Sequence, residues 1–371
     1  MTDALSLDTV TLSEDGKHIV IVDQTLLPGE TKYLSLDRAE DIWEAIYKLR
    51  VRGAPAIGVT GALAYSVLAD QIETEETDEF VEQCTRIMEY INSSRPTAVN
   101  LSWALNRMHA RLLAERDGHT VPEIKELLRS EALSIREEDI AISRGIGTYG
   151  FELLEAIGRG VGVMTHCNAG TLATTKYGTA LAPIYVALEH GWDPKKDLHV
   201  YCDETRPLLQ GARLSAFEMQ TAGVDTWLQC DNMASYTMKA GKIDIIFVGC
   251  DRVAANGDFA NKIGTSGVAI LANHYGIPFY VCAPSSTIDM TLSGGDEIPI
   301  EQRKAEEVTE MWYEKRMAPE GVGVVNPAFD VTDHDLVTGI ITEKGIARAP
   351  YREAFEAMGI RPVEKFVDKH R

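Results

Sequence analysis

From Gly160 onward the chain is punctuated by short apolar runs, each closed by polar or small residues: Val161–Thr165, Leu198–Tyr201, Asp225–Leu228, Ile243–Val248 and Pro278–Val281. Stretches with helical spacing separate them, for example 179–190 and 211–222, the second bracketed by Gly211 and Gly223. Strand, helix, strand repeated in this way requires crossover connections, and crossovers join parallel strands. In such sheets ligands bind beyond the carboxyl ends of the strands. The residues just after each run therefore matter most for function. They are His166–Gly170, Asp203–Arg206, Cys230–Met233, Cys250–Arg252 and Ala283–Ser286.

The first part of the chain reads differently. Residues 7–35 alternate apolar and polar side chains around Gly16 and Pro28-Gly29, which predicts two or three short strands. Helical spacing then begins, with Asp37 placed as N-cap ahead of Ala39, Ile42, Ile46 and Leu49. Further helices are expected from Pro55 and at 77–92, 97–115, 121–133 and 136–158. Thr120 with Glu123, and Ser134 with Glu137, have capping-box spacing. The expected α/β architecture is a small, mostly helical N-terminal domain with a short β entry over 1–158, and a parallel-sheet domain over 159–371.

Charge bounds the partners. Lys and Arg number 36 against 56 Asp and Glu, a net charge of -20 that is spread over both halves. Such a field repels nucleic-acid phosphates and anionic membrane surfaces. A phosphorylated substrate would need local positive charge at its site. The first residues hold no basic segment followed by an apolar one, and no run of 18 apolar residues occurs, so neither a signal peptide nor a membrane span is expected. None of the six cysteines forms a C-x-x-C pair, which suits reduced thiols and a cytoplasmic location.

Several strand-end residues suit proton and anion chemistry. Cys167 precedes Asn168-Ala169-Gly170-Thr171, a turn that could open a helix whose dipole would favour the thiolate. Position alone equally fits a small buried filler. Asp251 follows the run Ile245–Val248, and a carboxyl against apolar surface has a raised pKa suited to an acid; it equally fits a carboxylate capping the next turn. Arg52–Gly58 resembles an anion-binding helix start, with Gly53 freeing the backbone and Pro55 in the first turn. Asn261 and Lys262 follow the turn signal Asn256-Gly257-Asp258. His166 neighbours Cys167, but adjacent strand residues point to opposite faces, so it reads as a packed, hydrogen-bonded histidine. No H-x-x-E or other metal pattern lies near it, no Walker-type loop occurs, and the absence of G-x-G-x-x-G after the first strand disfavours nicotinamide chemistry.

Nine ordered segments together resemble one family: Arg52–Gly58, Arg95–Leu101, Thr165–Gly170, Glu204–Leu214, Asp231–Ala234, Gly249–Asp258, Asn261–Thr265, Pro278–Asp289 and Asn326–Thr332. It is the 5-methylthioribose-1-phosphate isomerases of methionine salvage, which share a superfamily with the α, β and δ subunits of the translation initiation factor 2 exchange factor. The resemblance implies a Rossmann-like C-terminal domain, a homodimer, no cofactor, and conversion of 5-methylthioribose 1-phosphate to 5-methylthioribulose 1-phosphate. It places catalytic roles on Cys167 and Asp251, and substrate contacts on Arg52, Gly53, Ala54, Arg95, Gln210, Asn261 and Lys262. Cys250 departs from the family pattern, which has Ala before the aspartate. Asp333-His334 and Gln302-Arg303-Lys304 depart from it as well. Residues 356–371 match no family motif and are a candidate helical tail. Three other readings stay open: a 5-deoxyribose-1-phosphate isomerase, a ribose-1,5-bisphosphate isomerase, and a non-catalytic regulatory subunit.

Overall fold

The structure, a computed structural model, describes residues 8–96 and 98–362. Thr97, which opens the expected helix 97–115, and residues 363–371 of the candidate tail lie outside the described residues. The chain forms two compact units, residues 1–144 with 169–178, and residues 145–168 with 179–371. The sequence expectation divided the chain at 158/159; the contacts divide it within a helix and assign 169–178 to the first unit.

In the first unit, β1 (Val10–Leu12), β2 (Ile19–Val22) and β3 (Tyr33–Leu36) form an antiparallel sheet. Four helices follow: α1 (Ala39–Tyr47), α2 (Ala54–Asp70), α3 (Thr77–Asn92) and α4 (Val99–Glu115). The N-cap of α1 is Arg38, one residue past the expected Asp37, and no side chain caps it. Helix α2 is the centre of this unit: every residue from Ala56 to Ala69 is buried. A helix apolar on all faces belongs in a core. Its glycines let α4 approach closely, since a Cβ on Gly58 would stand 3.0 Å from the Asn100 carbonyl oxygen and one on Gly61 would stand 2.6 Å from Leu101. These contacts advance in the same direction along both helices, so their N-termini lie at the same end.

Helix α5 runs unbroken over Val121–Ile157, where two helices were expected. At Thr120 the capping box forms, with Glu123 accepting from the Thr120 backbone N–H and hydroxyl, each at 2.8 Å. At Ser134 it does not. The Ser134 hydroxyl donates to Glu138 within the helix instead, which leaves the backbone ladder intact.

The second unit holds β4 (Val161–Thr165), α6 (Ala182–Glu189), β5 (Leu198–Asp203), α7 (Ala216–Thr221), β6 (Asp225–Gln229), α8 (Ala234–Lys239) and β7 (Ile245–Val248). After them come β8 (Arg252–Ala254), β9 (Phe259–Lys262), α9 (Thr265–Tyr275), β10 (Phe279–Cys282), β11 (Ile288–Asp289), α10 (Glu306–Thr309), β12 (Phe329–Thr332), β13 (Gly339–Thr342), β14 (Gly345–Ala347) and α11 (Tyr351–Ala357). The main sheet has the order β14-β13-β10-β7-β4-β5-β6 and is parallel except for the β13–β14 hairpin. From β4 the chain steps through β5 to β6, then returns to β7 and steps the other way. The strand order therefore reverses between β4 and β7, the place where such sheets bind ligands. A second sheet, β11-β8-β9-β12, was not expected from the sequence; its strands are two to four residues long, too short for an alternation to register.

Candidate active site

Cys167 stands two residues beyond β4, and Asp251 three residues beyond β7, the two strands that flank the reversal. Cys167 is buried, at 7% exposure, in the left-handed region with φ 67. A non-glycine residue holds that conformation only where its surroundings fix it. Here two hydrogen bonds do so. The Cys167 N–H donates to the Thr205 hydroxyl at 2.8 Å, and the Cys167 carbonyl accepts from the Ser215 hydroxyl at 2.7 Å. The expected helix after Cys167 is absent. The turn leads into a three-residue 3-10 segment, Thr171–Ala173, so no α-helix dipole is supplied from that side.

Thr205 is itself in the left-handed region, at φ 64, and Asp231 holds it there. One Asp231 oxygen accepts from the Thr205 N–H and the other from the Arg206 N–H, each at 2.7 Å. The loop then closes over the end of β5. A Cβ on Gly211 would stand 1.7 Å from the Asp203 carbonyl oxygen, so only glycine fits. The wide turn Gly211–Ser215 that follows is a π-helix, a form frequent at functional sites. Gln210, just before it, is 6% exposed, and its Oε1 has no hydrogen-bond partner.

Asp251 corrects the sequence expectation. β7 is buried throughout, but Asp251 turns away from the strand end and is exposed, not held against the apolar run. Its N–H donates to the Ala260 carbonyl at 2.8 Å, which sets it beside β9. β8 and β9 form a hairpin whose turn, Asn256-Gly257-Asp258, needs the φ of +93 at Gly257. On β9, Asn261 is buried and donates to the Thr265 hydroxyl at 3.1 Å. Lys262 donates to the Ala328 carbonyl at 2.8 Å and lies 4.4 Å from the centre of the Phe329 ring. The beginning of α9 is filled by Asp330, whose carboxylate accepts from the N–H of Gly264 at 2.8 Å and of Ser266 at 3.2 Å. Burial pushes the Asp330 carboxyl up, against those N–H groups.

His166 is hydrogen-bonded, as its place on the strand implied. Nδ1 lies 3.0 Å from Asp203, and Nε2 lies 2.9 Å from the Ile263 carbonyl. Burial opposes the charged ring, but the hydrogen bond and charge of Asp203 outweigh it, and the His166 pKa moves up. Among the described residues, His166, Asp203 and Asp231 have ligand-type atoms within 4.8 Å of one another, the spacing a metal ion would need. Those atoms are occupied: His166 by its two partners, Asp203 by His166 and the Gln229 amide, and Asp231 by two backbone N–H groups. His166 and Asp203 form one hydrogen-bonded brace, and Asp231 braces Thr205 and Arg206 separately.

In the second unit, Cys167 follows β4, Gln210 follows β5 and Asp251 follows β7, while Asn261 and Lys262 end β9. In the first unit, Gly53 has φ 92 and precedes α2, with Pro55 in the first turn. No side chain caps that helix start, and Ala54 is exposed. Arg95 accepts, through its carbonyl, the N–H of Ala98 at 2.9 Å just ahead of α4, so it shares an end with Arg52, Gly53 and Ala54. The braces Thr205, Asp231 and Asp330 lay within family motifs, but their roles depend on partners far away in sequence.

Residues 50–349 match the model of the Initiation factor 2 subunit family. A methylthioribose-1-phosphate isomerase of Symbiobacterium thermophilum is 59% identical over 96% of this chain and 98% of its own length. A 5-deoxyribose 1-phosphate isomerase of Petrotoga mobilis is 53% identical over 94% of this chain and 98% of its own. Among solved structures, 5-methylthioribose 1-phosphate isomerase from Pyrococcus horikoshii OT3 superposes with a TM-score of 0.89 at 42% identity, covering 96% of this chain and 97% of that one. The delta subunit of translation initiation factor eIF-2B from A. fulgidus gives 0.87 at 38% identity, covering 95% and 100%.

Proposed function

The chain belongs to the initiation factor 2 subunit family, and we propose that it is a sugar-phosphate isomerase that converts 5-methylthioribose 1-phosphate into 5-methylthioribulose 1-phosphate. The observation that carries this reading is the thiol and carboxyl pair, Cys167 and Asp251, beyond the two strands where the sheet order reverses. A binding subunit has no use for an acid and a base there. Relatives named for this activity, similar over nearly their whole length, support it.

The reaction moves a proton from C2 to C1 and the carbonyl to C2. The C1 oxygen carries the phosphate, so opening the ring cannot simply give a free aldehyde. Asp251 as acid protonates the ring oxygen, and the C1–O bond breaks to leave an oxocarbenium-like C1. Cys167 as thiolate takes the C2 proton to give an enol phosphate; the Cys167 thiol returns a proton to C1 while the C2 hydroxyl gives its proton to the Asp251 carboxylate, which leaves the ketose and both side chains in their starting forms. The family resemblance assigns substrate contacts to Arg52, Gly53, Ala54 and Arg95, and also to Lys262; positive charge and helix-start amides at a phosphate offset the repulsion of a net charge of -20. Asn261 and the unpartnered amide oxygen of Gln210 take substrate hydroxyls. The enzyme works in the cytoplasm as a homodimer, in methionine salvage.

The test is direct. Each of 5-methylthioribose 1-phosphate, 5-deoxyribose 1-phosphate and ribose 1,5-bisphosphate is incubated with the protein, and ketose formation is followed by phosphorus NMR. The first should turn over. The second should follow it more weakly, because an apolar pocket separates neighbouring chain lengths poorly. No product from any of them would leave a regulatory role. A deuterium at C2 that is fully retained at C1 would replace the thiolate step with a hydride shift.

A further inference from the structure

We propose that His166 is a positioning residue for the isomerisation: through its two ring nitrogens it fixes the Lys262–Gly264 segment against the strand end that carries Cys167. The inference rests on the isomerase reading above. A carbonyl only accepts, so Nε2 carries hydrogen and donates to Ile263 at 2.9 Å, while Nδ1 meets Asp203 at 3.0 Å. The ring is 1% exposed and Asp203 0%, so neither has water as a substitute partner. Asp203 is braced in turn by the Gln229 amide at 2.9 Å. The segment closes directly on the ring. Gly264 has φ +105, and a Cβ there would stand 2.9 Å from Cε1 and 3.0 Å from Nε2 of His166. From its other side the segment is tied to β12, through Ile263 N–H to the Ala328 carbonyl and Gly264 N–H to Asp330. An imidazole, with nitrogens facing two ways, spans Asp203 and Ile263 at once; an aliphatic side chain reaches neither. The residue it places is Lys262, next to Ile263, so His166 acts through that cation.

The experiment is steady-state kinetics of the full-length enzyme with 5-methylthioribose 1-phosphate, reading kcat and KM separately, with thermal unfolding alongside. His166→Ala should raise KM about tenfold or more, the worth of one or two buried hydrogen bonds, with a smaller fall in kcat. In a Lys262→Ala background the same change should add less than about twofold, because the group it positions is gone. Asp203→Asn should hold KM within about threefold. Its amide can donate to Nδ1 of a neutral ring and accept from Gln229, while Nε2 still donates to Ile263. Asp203→Leu, which offers no polar atom, should behave like His166→Ala, and it carries the test if that variant does not fold. A wild-type KM in His166→Ala overturns the proposal, as do full multiplicative losses in the double variant. An inactive wild type would overturn the isomerase reading and this proposal with it; an active wild type with an indifferent His166→Ala overturns the proposal alone.

Discussion

Thr205→Val is the sharpest probe of how the thiol is held. The change keeps shape and β-branching and deletes one oxygen. That oxygen accepts from the Cys167 N–H at 2.8 Å and donates to the Asp203 carbonyl at 3.1 Å. Both bonds are buried, so the Cys167 donor would be left without a partner, at about 1–3 kcal/mol. For a unit of this size each kcal/mol is worth about 2–4 °C in Tm, which predicts a loss of roughly 2–12 °C. The donor belongs to a residue at φ 67, a conformation that relaxes when its restraint goes. Turnover should therefore fall further than stability alone explains, with kcat reduced about tenfold or more and KM moved less. Thr205→Ser, which restores the hydroxyl, should recover both. The assay pairs phosphorus-NMR kinetics with thermal unfolding. A Thr205→Val enzyme with wild-type kcat would refute the reasoning, and so would a Thr205→Ser enzyme as damaged as the valine variant.

Other outcomes follow from the same geometry. Asp330→Ala removes the carboxylate that fills the start of α9 and should cost about 1–2 kcal/mol by urea unfolding, with a raised KM through Lys262. Cys250→Ala should keep kcat within about threefold, because burial pushes that thiol up to about 12 and it stands neutral beside Asp251. In the first unit, hydrogen bonds from Arg50 and Lys48 hold the Glu44 carboxyl down to about 2. A depressed carboxylate stabilises the fold above its ordinary pKa of 4.5 and loses that contribution as pH falls toward about 2. Arg50→Leu should therefore move acid unfolding to higher pH, read by circular dichroism; an unchanged acid midpoint would contradict the pairing.

Much of this was legible in the sequence because it is periodic. Val161–Thr165 reads as a strand from its apolar run and forms one, and the helix at 77–92 follows from its spacing. The parallel sheet with its strand-end residues came from the alternation of the two patterns. What the sequence hid was non-local. Ser134 has the spacing of a cap, yet nothing in the chain forces α5 to stop there, and its hydroxyl turns to Glu138. The start of α9 is filled by Asp330, 66 residues from Gly264, a partner that no local pattern names. The apolar run before Asp251 suggested a buried carboxyl, but β7 ends first and the chain turns outward into a hairpin two short strands long. Helix α2 starts just after Gly53, where Gly53 and Pro55 place it, because glycine and proline act locally.

The central claim is that Cys167 and Asp251 act as base and acid on one sugar phosphate. The measurement closest to it is kcat for Cys167→Ser and for Asp251→Asn with 5-methylthioribose 1-phosphate, both compared with wild type at equal Tm. Each residue supplies a proton transfer, worth about 10²–10⁴-fold, so each variant should lose at least about a hundredfold in kcat. Near-normal turnover by either variant would contradict the account.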